Sequence, residues 1–245
     1  MFVIPMAGLS SRFFEAGYQV PKYMLEAQGE SLFALSIRSF EHYFKADEFL
    51  FITLPDFDTP DFVRSECKRL GINHASIVSL DEVTRGQAET VYMGIDKAQI
   101  APQPITIFNI DTAMPGFRQP GFIDDCDGYL DVFVGSGPNW SYARPADADS
   151  DRVAETAEKR AISDLCSTGL YHFADSEEFA RVFQAQANTD PTQLTNRELY
   201  IAPLYNNLIA AGLDIRYRIV APADVIFFGV PDEYLALLEA PSLYR

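Results

Sequence analysis

Short apolar runs alternate with amphipathic stretches through the first half of the chain. Residues Phe2–Met6, Phe49–Leu54, Ala75–Val78 and Ile105–Ile110 are unbroken or nearly unbroken apolar, the mark of strands buried in a sheet. Between them the pattern changes. Glu30–Tyr43 places Leu32, Leu35, Phe40 and Tyr43 at helical spacing, Asp58–Leu70 reads as a helix closed by Gly71, and Gln87–Gln99 as a helix rich in small and apolar residues. Strand and helix in alternation predict a parallel sheet covered by helices. The second half is different. Tyr129–Gly135, Trp140–Arg144, Arg152–Thr156 and Ser167–Phe173 read as strands joined by turns. Asp175–Ala187 then reads as a helix, followed by a polar loop to Thr195. Arg197–Ala211 is expected to be helical despite Pro203, with Gly212 ending it. Ile215–Val220 and Val225–Phe228 are strands, and Asp232–Leu238 a last helix. No repeat or low-complexity tract interrupts this order.

Composition narrows the partners. The 245 residues carry 19 Lys+Arg against 35 Asp+Glu, a net charge of −16, and 48% are hydrophobic. A core of good size is therefore expected, and the charge argues against nucleic acid and against anionic membranes, since no basic cluster offsets it. An acidic chain that binds anions must hold local cations in its site, which makes a divalent metal a natural expectation. Cys67, Cys126 and Cys166 are odd in number and widely spaced, as free thiols in a reducing compartment would be. His42, His74 and His172 form no metal-ligand spacing. No apolar run approaches the roughly 18 residues of a membrane span, and no basic region precedes the apolar start. The chain reads as cytoplasmic.

The candidate chemistry begins where the first strand ends. Ala7-Gly8-Leu9-Ser10-Ser11-Arg12 is a turn of small residues closing on an arginine, and Pro21-Lys22 follows. Small residues let backbone N–H groups approach phosphate oxygens. Arg12 and Lys22 add one forked and one point-like positive charge. Farther on, Gly86-Gln87-Ala88 lies between a strand and a helix, where Gly86 would permit close approach of a ligand and Gln87 offers both a donor and an acceptor. Asp111 ends an apolar strand at the rim where open α/β sheets place their ligands. Glu155–Arg160 looks like a solvated charge run, followed by the strand around Thr168-Gly169.

This series resembles the sugar-nucleotidyltransferase family, the nucleoside-diphosphate-sugar pyrophosphorylases. Their opening signature, Gly-x-Gly-(Ser/Thr)-Arg then Pro-Lys, is matched by Gly8, Ser11, Arg12, Pro21 and Lys22, with Ser10 in place of the second glycine. Gly86, Gln87 and Ala88 match the segment over the nucleobase. Asn109-Ile110-Asp111 matches the magnesium-binding strand end. Glu158, Lys159, Thr168, Gly169, Tyr171 and Phe173 match the acceptor segment, and Gly229 and Pro231 the turn after the last strand. Val230 replaces a threonine there. Phe227 stands where many members carry a second metal-binding aspartate, and Asp224 is the nearest carboxylate.

The resemblance implies a three-layer α/β/α, Rossmann-like single domain with a mostly parallel mixed central sheet. Residues 1–111 would form a nucleotide-binding half and residues 112–245 an acceptor-binding half. It implies a transfer of a nucleotidyl group from a nucleoside triphosphate to a sugar 1-phosphate or similar phosphorylated metabolite, with release of pyrophosphate, in the synthesis of surface polysaccharide precursors. The implied roles are Arg12 and Lys22 as catalytic groups, and Ala7, Gly8, Leu9, Ser10, Ser11, Gly86 and Gln87 as nucleotide-binding residues. Glu158, Lys159 and Gly169 would meet the acceptor, and Asp111, with Asp224 as candidate partner, would hold Mg2+. A homo-oligomer is compatible with this reading, and the hexapeptide-repeat domain of some relatives is not expected. Two other readings stay open. A metal-dependent glycosyltransferase of related fold would show an Asp-x-Asp rim, of which residues 109–111 are half. A non-catalytic nucleotide-binding module would suit Ser10 and Phe227. Neither the nucleobase nor the acceptor is legible.

Overall fold

The computed structural model describes residues 1–244. In chain order the elements are β1 (Phe2–Pro5), α1 (Ser11–Glu15), β2 (Glu26–Ala27), β3 (Glu30–Ser31), α2 (Leu32–Ile37), β4 (Glu48–Thr53), α3 (Thr59–Leu70), β5 (His74–Ser79) and α4 (Gln87–Lys97). There follow β6 (Ile105–Phe108), β7 (Thr112–Ala113), β8 (Gly128–Val134), β9 (Ser141–Pro145), β10 (Val153–Glu158), β11 (Leu165–Phe173) and α5 (Ser176–Ala187). The last are α6 (Tyr205–Ala210), β12 (Ile215–Ile219), β13 (Ile226–Phe227) and α7 (Pro231–Glu239).

Nine strands make one sheet, in the order β10-β9-β11-β6-β1-β4-β5, with β12 and β8 branching from β11. The β6-β1-β4-β5 part is parallel throughout. The strands of the second half enter antiparallel, β11 against β6, β8 and β9. Both faces are covered, which is why these strands read as continuous apolar runs rather than alternating ones. Within β1 and β4, Val3, Leu50 and Ile52 face one core, with α4, α5 and α6 above it. Phe2, Ile4, Phe49 and Phe51 face the other, under α2 and α3. A third cluster joins Phe13 of α1 to Leu32 and Leu35 of α2 and to Tyr234 and Leu237 of α7. The chain thus has the expected α/β architecture in a single domain.

Two expected helices are cut short. The stretch from Arg197 to Ala211 is α-helical only over Tyr205–Ala210; tight 3₁₀ turns at Thr195–Arg197 and Ala202–Leu204 precede it. Pro203 has no N–H to give a regular helix. Upstream, Leu199 is pulled out to pair with the 85–88 loop, donating its N–H to the carbonyl of Arg85 and accepting from the N–H of Ala88. Likewise Glu30–Tyr43 is a regular helix only from Leu32 to Ile37, beyond which a 3₁₀ run breaks stride at Phe40. The helix ending at Gly71 is as predicted. Gly71 takes φ 76° and its N–H closes on the last turn, a conformation glycine adopts without a Cβ penalty.

Candidate active site

A cavity of about 630 Å³ opens at the carboxyl ends of β1 and β6, bounded on its far side by β9, β10 and β11. Arg12, Gln87, Asp111, Glu158, Lys159 and Gly169 all line it. These residues come from distant parts of the chain. The parallel half of the sheet supplies the first three and the antiparallel half the others.

The loop after β1 is built round Ser10. Its φ of 51° puts it in the left-handed region, which explains why a glycine suits that position better. The serine adds a contact that glycine lacks, since the backbone N–H of Lys22 donates to Ser10 Oγ at 3.2 Å. The phosphate-loop candidate and the Pro21-Lys22 turn are thereby tied together. Gly8 and Leu9 lie exposed, and a Cβ on Gly8 would meet no protein atom within 4 Å. From this turn the Lys22 ammonium reaches Asp111, with Nζ 2.6 Å from Oδ2. Gly229 closes in on the same carboxylate: a Cβ there would stand 2.8 Å from Asp111 Oδ2. Phe228 donates its N–H to the Asp111 carbonyl at 3.0 Å, next to the β13–β7 pairing.

Gly86 serves a different neighbour from the one its sequence suggests. At φ 146° its missing Cβ would lie 2.6 Å from the carbonyl oxygen of Leu199, so the backbone that comes close is the protein's own. Gln87, one residue on, faces the cavity and donates from Nε2 to Asn109 Oδ1. Asn109 in turn rests on Gly169, whose φ is 91° and whose missing Cβ would sit 2.6 Å from the Asn109 amide nitrogen. The Gln87–Asn109–Gly169 stack links the two halves of the cavity.

The charge run at 155–160 divides in two. Glu155 pairs with Arg144 and Arg160 on the surface. Glu158 turns inward, is buried, and accepts from the hydroxyl of Ser141. Burial pushes its carboxyl up from the ordinary value, against the opposing pull of Ser141 and Lys159. Lys159 adopts φ 56° and donates to the Tyr200 hydroxyl at 2.6 Å, its ammonium 4.8 Å from that ring's centre.

Asp224 lies elsewhere. It is exposed on the Pro222–Asp224 turn and does not line the cavity. Phe227 does line it, its ring packed 4.6 Å from Trp140 and 5.3 Å from Phe133. Sequence reasoning passed over Glu233, which also faces the cavity. Its carboxylate accepts from the N–H groups of Gly229 at 2.8 Å and Val230 at 3.2 Å. Burial raises this carboxyl and the charge of Asp111 raises it further, while Lys22 and the two N–H donors oppose. Its signal in the sequence was its place three residues into a helix that opens with proline, where an acid caps free N–H groups.

The donors suit a hard divalent cation. Asp111 and Glu233 offer carboxylate oxygen, and Gly229 leaves room beside Asp111. Among the described residues no group of three or more His, Cys, Asp or Glu is placed to hold a metal. Magnesium commonly takes one or two carboxylates and fills the rest of its shell with water and substrate phosphates.

Comparison with solved structures settles the family. The nucleoside-diphosphate-sugar pyrophosphorylase from Vibrio cholerae RC9 superposes with a TM-score of 0.95 at 50% identity, over 98% of this chain and 100% of that one. The chain belongs to the nucleoside-diphosphate-sugar pyrophosphorylase family. More distant pyrophosphorylase-fold proteins share the architecture alone. The inositol-1-phosphate CTP transferase from T. maritima gives a TM-score of 0.72 at 13% identity, covering 97% of this chain and 94% of that one. The UDP-glucose pyrophosphorylase from Acinetobacter baumanii gives 0.69 at 14%, covering 99% and 94%. No protein-family model and no curated protein sequence matches the chain. Among the described residues of this pyrophosphorylase-family chain no helix is long and apolar enough to cross a membrane, and the three cysteines are free and buried.

Proposed function

We propose that the protein joins a nucleoside triphosphate to a sugar 1-phosphate or similar phosphorylated metabolite and releases pyrophosphate, in the cytoplasm and on the way to surface polysaccharide precursors. The observation that carries this reading is the meeting of Lys22 with Asp111 at 2.6 Å, beside a cavity that Asp111 lines together with Arg12. A lysine, a rim carboxylate and an arginine loop are what a polyphosphate under attack requires.

An oxygen of the acceptor phosphate attacks the α-phosphorus. A new P–O bond forms as the bond between the α-phosphorus and its bridging oxygen breaks, and pyrophosphate carries away the electron pair. A phosphate monoester with its second pKa near 6 is ionised at neutral pH, so no protein base is required. The chain's task is in-line placement and charge neutralisation. Arg12 takes the β- and γ-phosphates and Lys22 the α-phosphate. Residues 7–11 present backbone N–H groups, and Gln87 meets the base. Lys159 holds the acceptor phosphate, with Glu158 and Gly169 shaping the acceptor side. Asp111 would hold magnesium, which when bound would neutralise charge on the phosphate oxygens. Asp224 has no part in this arrangement.

The test is a pyrophosphate-release screen of four nucleoside triphosphates against a panel of phosphorylated acceptors, with and without magnesium. Acceptor-dependent release supports the reading. Release of a free nucleoside diphosphate from a nucleotide sugar instead would make the protein a glycosyltransferase, and nucleotide binding without turnover would make it a binding module.

A further inference from the structure

We propose that Lys22 and a divalent cation compete for one oxygen of Asp111, so that the chain offers a cation only a weak site until a triphosphate draws the ammonium away. The inference rests on the nucleotidyltransferase reading of this cavity, and concerns the order in which its parts become available.

Four observations carry it. First, Lys22 Nζ stands 2.6 Å from Asp111 Oδ2, an ion contact between side chains only 21% and 26% exposed. That degree of shielding makes the pair stronger than a surface one. Second, Gly229 also lies close to that oxygen, since a Cβ built there would stand 2.8 Å from it. A cation arriving alone at Asp111 would meet a carboxylate whose Oδ2 is already in contact with an ammonium.

Third, the second carboxylate of the cavity is half engaged. Phe227 lines the cavity but offers no oxygen, and its ring is locked against Trp140 and Phe133. Asp224 is exposed on its own turn outside the cavity. Glu233 spends Oε2 on the N–H groups of Gly229 and Val230. Fourth, the backbone of Lys22 is anchored independently of its ammonium. Its N–H is held by Ser10 Oγ at 3.2 Å, beside the loop that would carry the phosphates. The four-carbon stem can therefore swing to a phosphate oxygen without moving the turn. A triphosphate supplies the ammonium with a new anionic partner and supplies the cation with oxygens, and both changes release Asp111.

The experiment uses the full chain and Mn2+ as probe, read by the loss of its free-ion electron paramagnetic resonance signal, in the absence of any acceptor. Without nucleotide, wild type is expected to bind Mn2+ only weakly. Both Lys22→Met and Lys22→Gln should bind it about tenfold tighter or more, the size expected when one like charge at contact distance is removed. The gain should vanish in the Lys22→Met, Asp111→Asn double variant. Adding a triphosphate analogue blocked between its α- and β-phosphorus should give wild type the tight site, read as signal loss beyond that of the analogue and Mn2+ alone. Tight Mn2+ binding by nucleotide-free wild type overturns the proposal. So does failure of both Lys22 variants, confirmed folded by their melting temperatures, to gain affinity, or a gain that survives loss of the Asp111 carboxylate. None of these readings needs turnover, so the outcome is separate from that of the pyrophosphate-release screen.

Discussion

Arg218 of β12 lies across the fully buried carboxylate of Asp131 on β8, with Nε 2.8 Å from Oδ1 and a second nitrogen on Oδ2. The pair is forked and parallel strands fix its register. Asp131 sits on the same face as Tyr129 and Phe133, a carboxylate in an aromatic core. Burial pushes it up to about 6, and Arg218 holds it back from going higher.

Removing the guanidinium leaves an uncompensated buried charge, so Arg218→Met is expected to lose about 3–5 kcal/mol at pH 7.5. A carboxyl raised in the folded state favours folding below its ordinary value, and that contribution is lost as pH rises through about 6. Without Arg218 the rise is larger, so the variant should lose less stability at pH 5 than at pH 7.5. Urea unfolding at the two pH values measures this. Equal losses would show that the charge of Asp131 is not the cause.

Lys22→Ala should lower turnover by ~10²–10³, the usual cost of removing one preorganised charge from a transition state. Triphosphate affinity should change far less. Steady-state pyrophosphate release with a separate nucleotide-binding titration separates the two. A variant that turns over normally would remove Lys22 from the chemistry.

Asp111→Asn should abolish magnesium-dependent release while the melting curve moves by less than about 1 kcal/mol, because a rim carboxylate contributes little to the core. Asp224→Asn should be mild on both counts, since that side chain is exposed outside the cavity. Magnesium titrations of the two variants decide between a one-aspartate and a two-aspartate site; equal, large losses would mean the latter.

Gly169→Ala should cost about 1–3 kcal/mol, because φ 91° strains any other residue. Its new methyl group would also push against the amide of Asn109. The displacement should reach Gln87 and Asp111, so activity should fall more than stability alone accounts for. Comparing rates with the folded fraction measured under assay conditions tests this.

Much of this molecule was legible in local pattern. The runs at Phe2, Phe49 and Ile105 are buried on both faces, so their apolar continuity announced parallel strands, and Gly71 announced a helix end. The charged and small residues of the cavity stood at strand ends, where such sheets bind ligands. What was hidden depends on contacts between distant segments. Leu199 breaks a helical pattern because it docks on Gly86 more than a hundred positions earlier. Glu158 looked solvated because nothing in Glu155–Arg160 reveals that Ser141 awaits it. Asp131 inside an apolar strand gave no hint of Arg218. Phe227 seemed only a missing carboxylate, whereas its ring is part of the wall with Trp140.

The pairing of β13 with β7 has a consequence for how the cavity is put together. β7 follows Asp111 directly, and its partner strand has Gly229 and Glu233 just beyond. The nine-stranded sheet includes neither. A chain cut before Ile226 would therefore keep every strand of that sheet while its cavity lost a wall, so that removing this segment should separate formation of the sheet from assembly of the site.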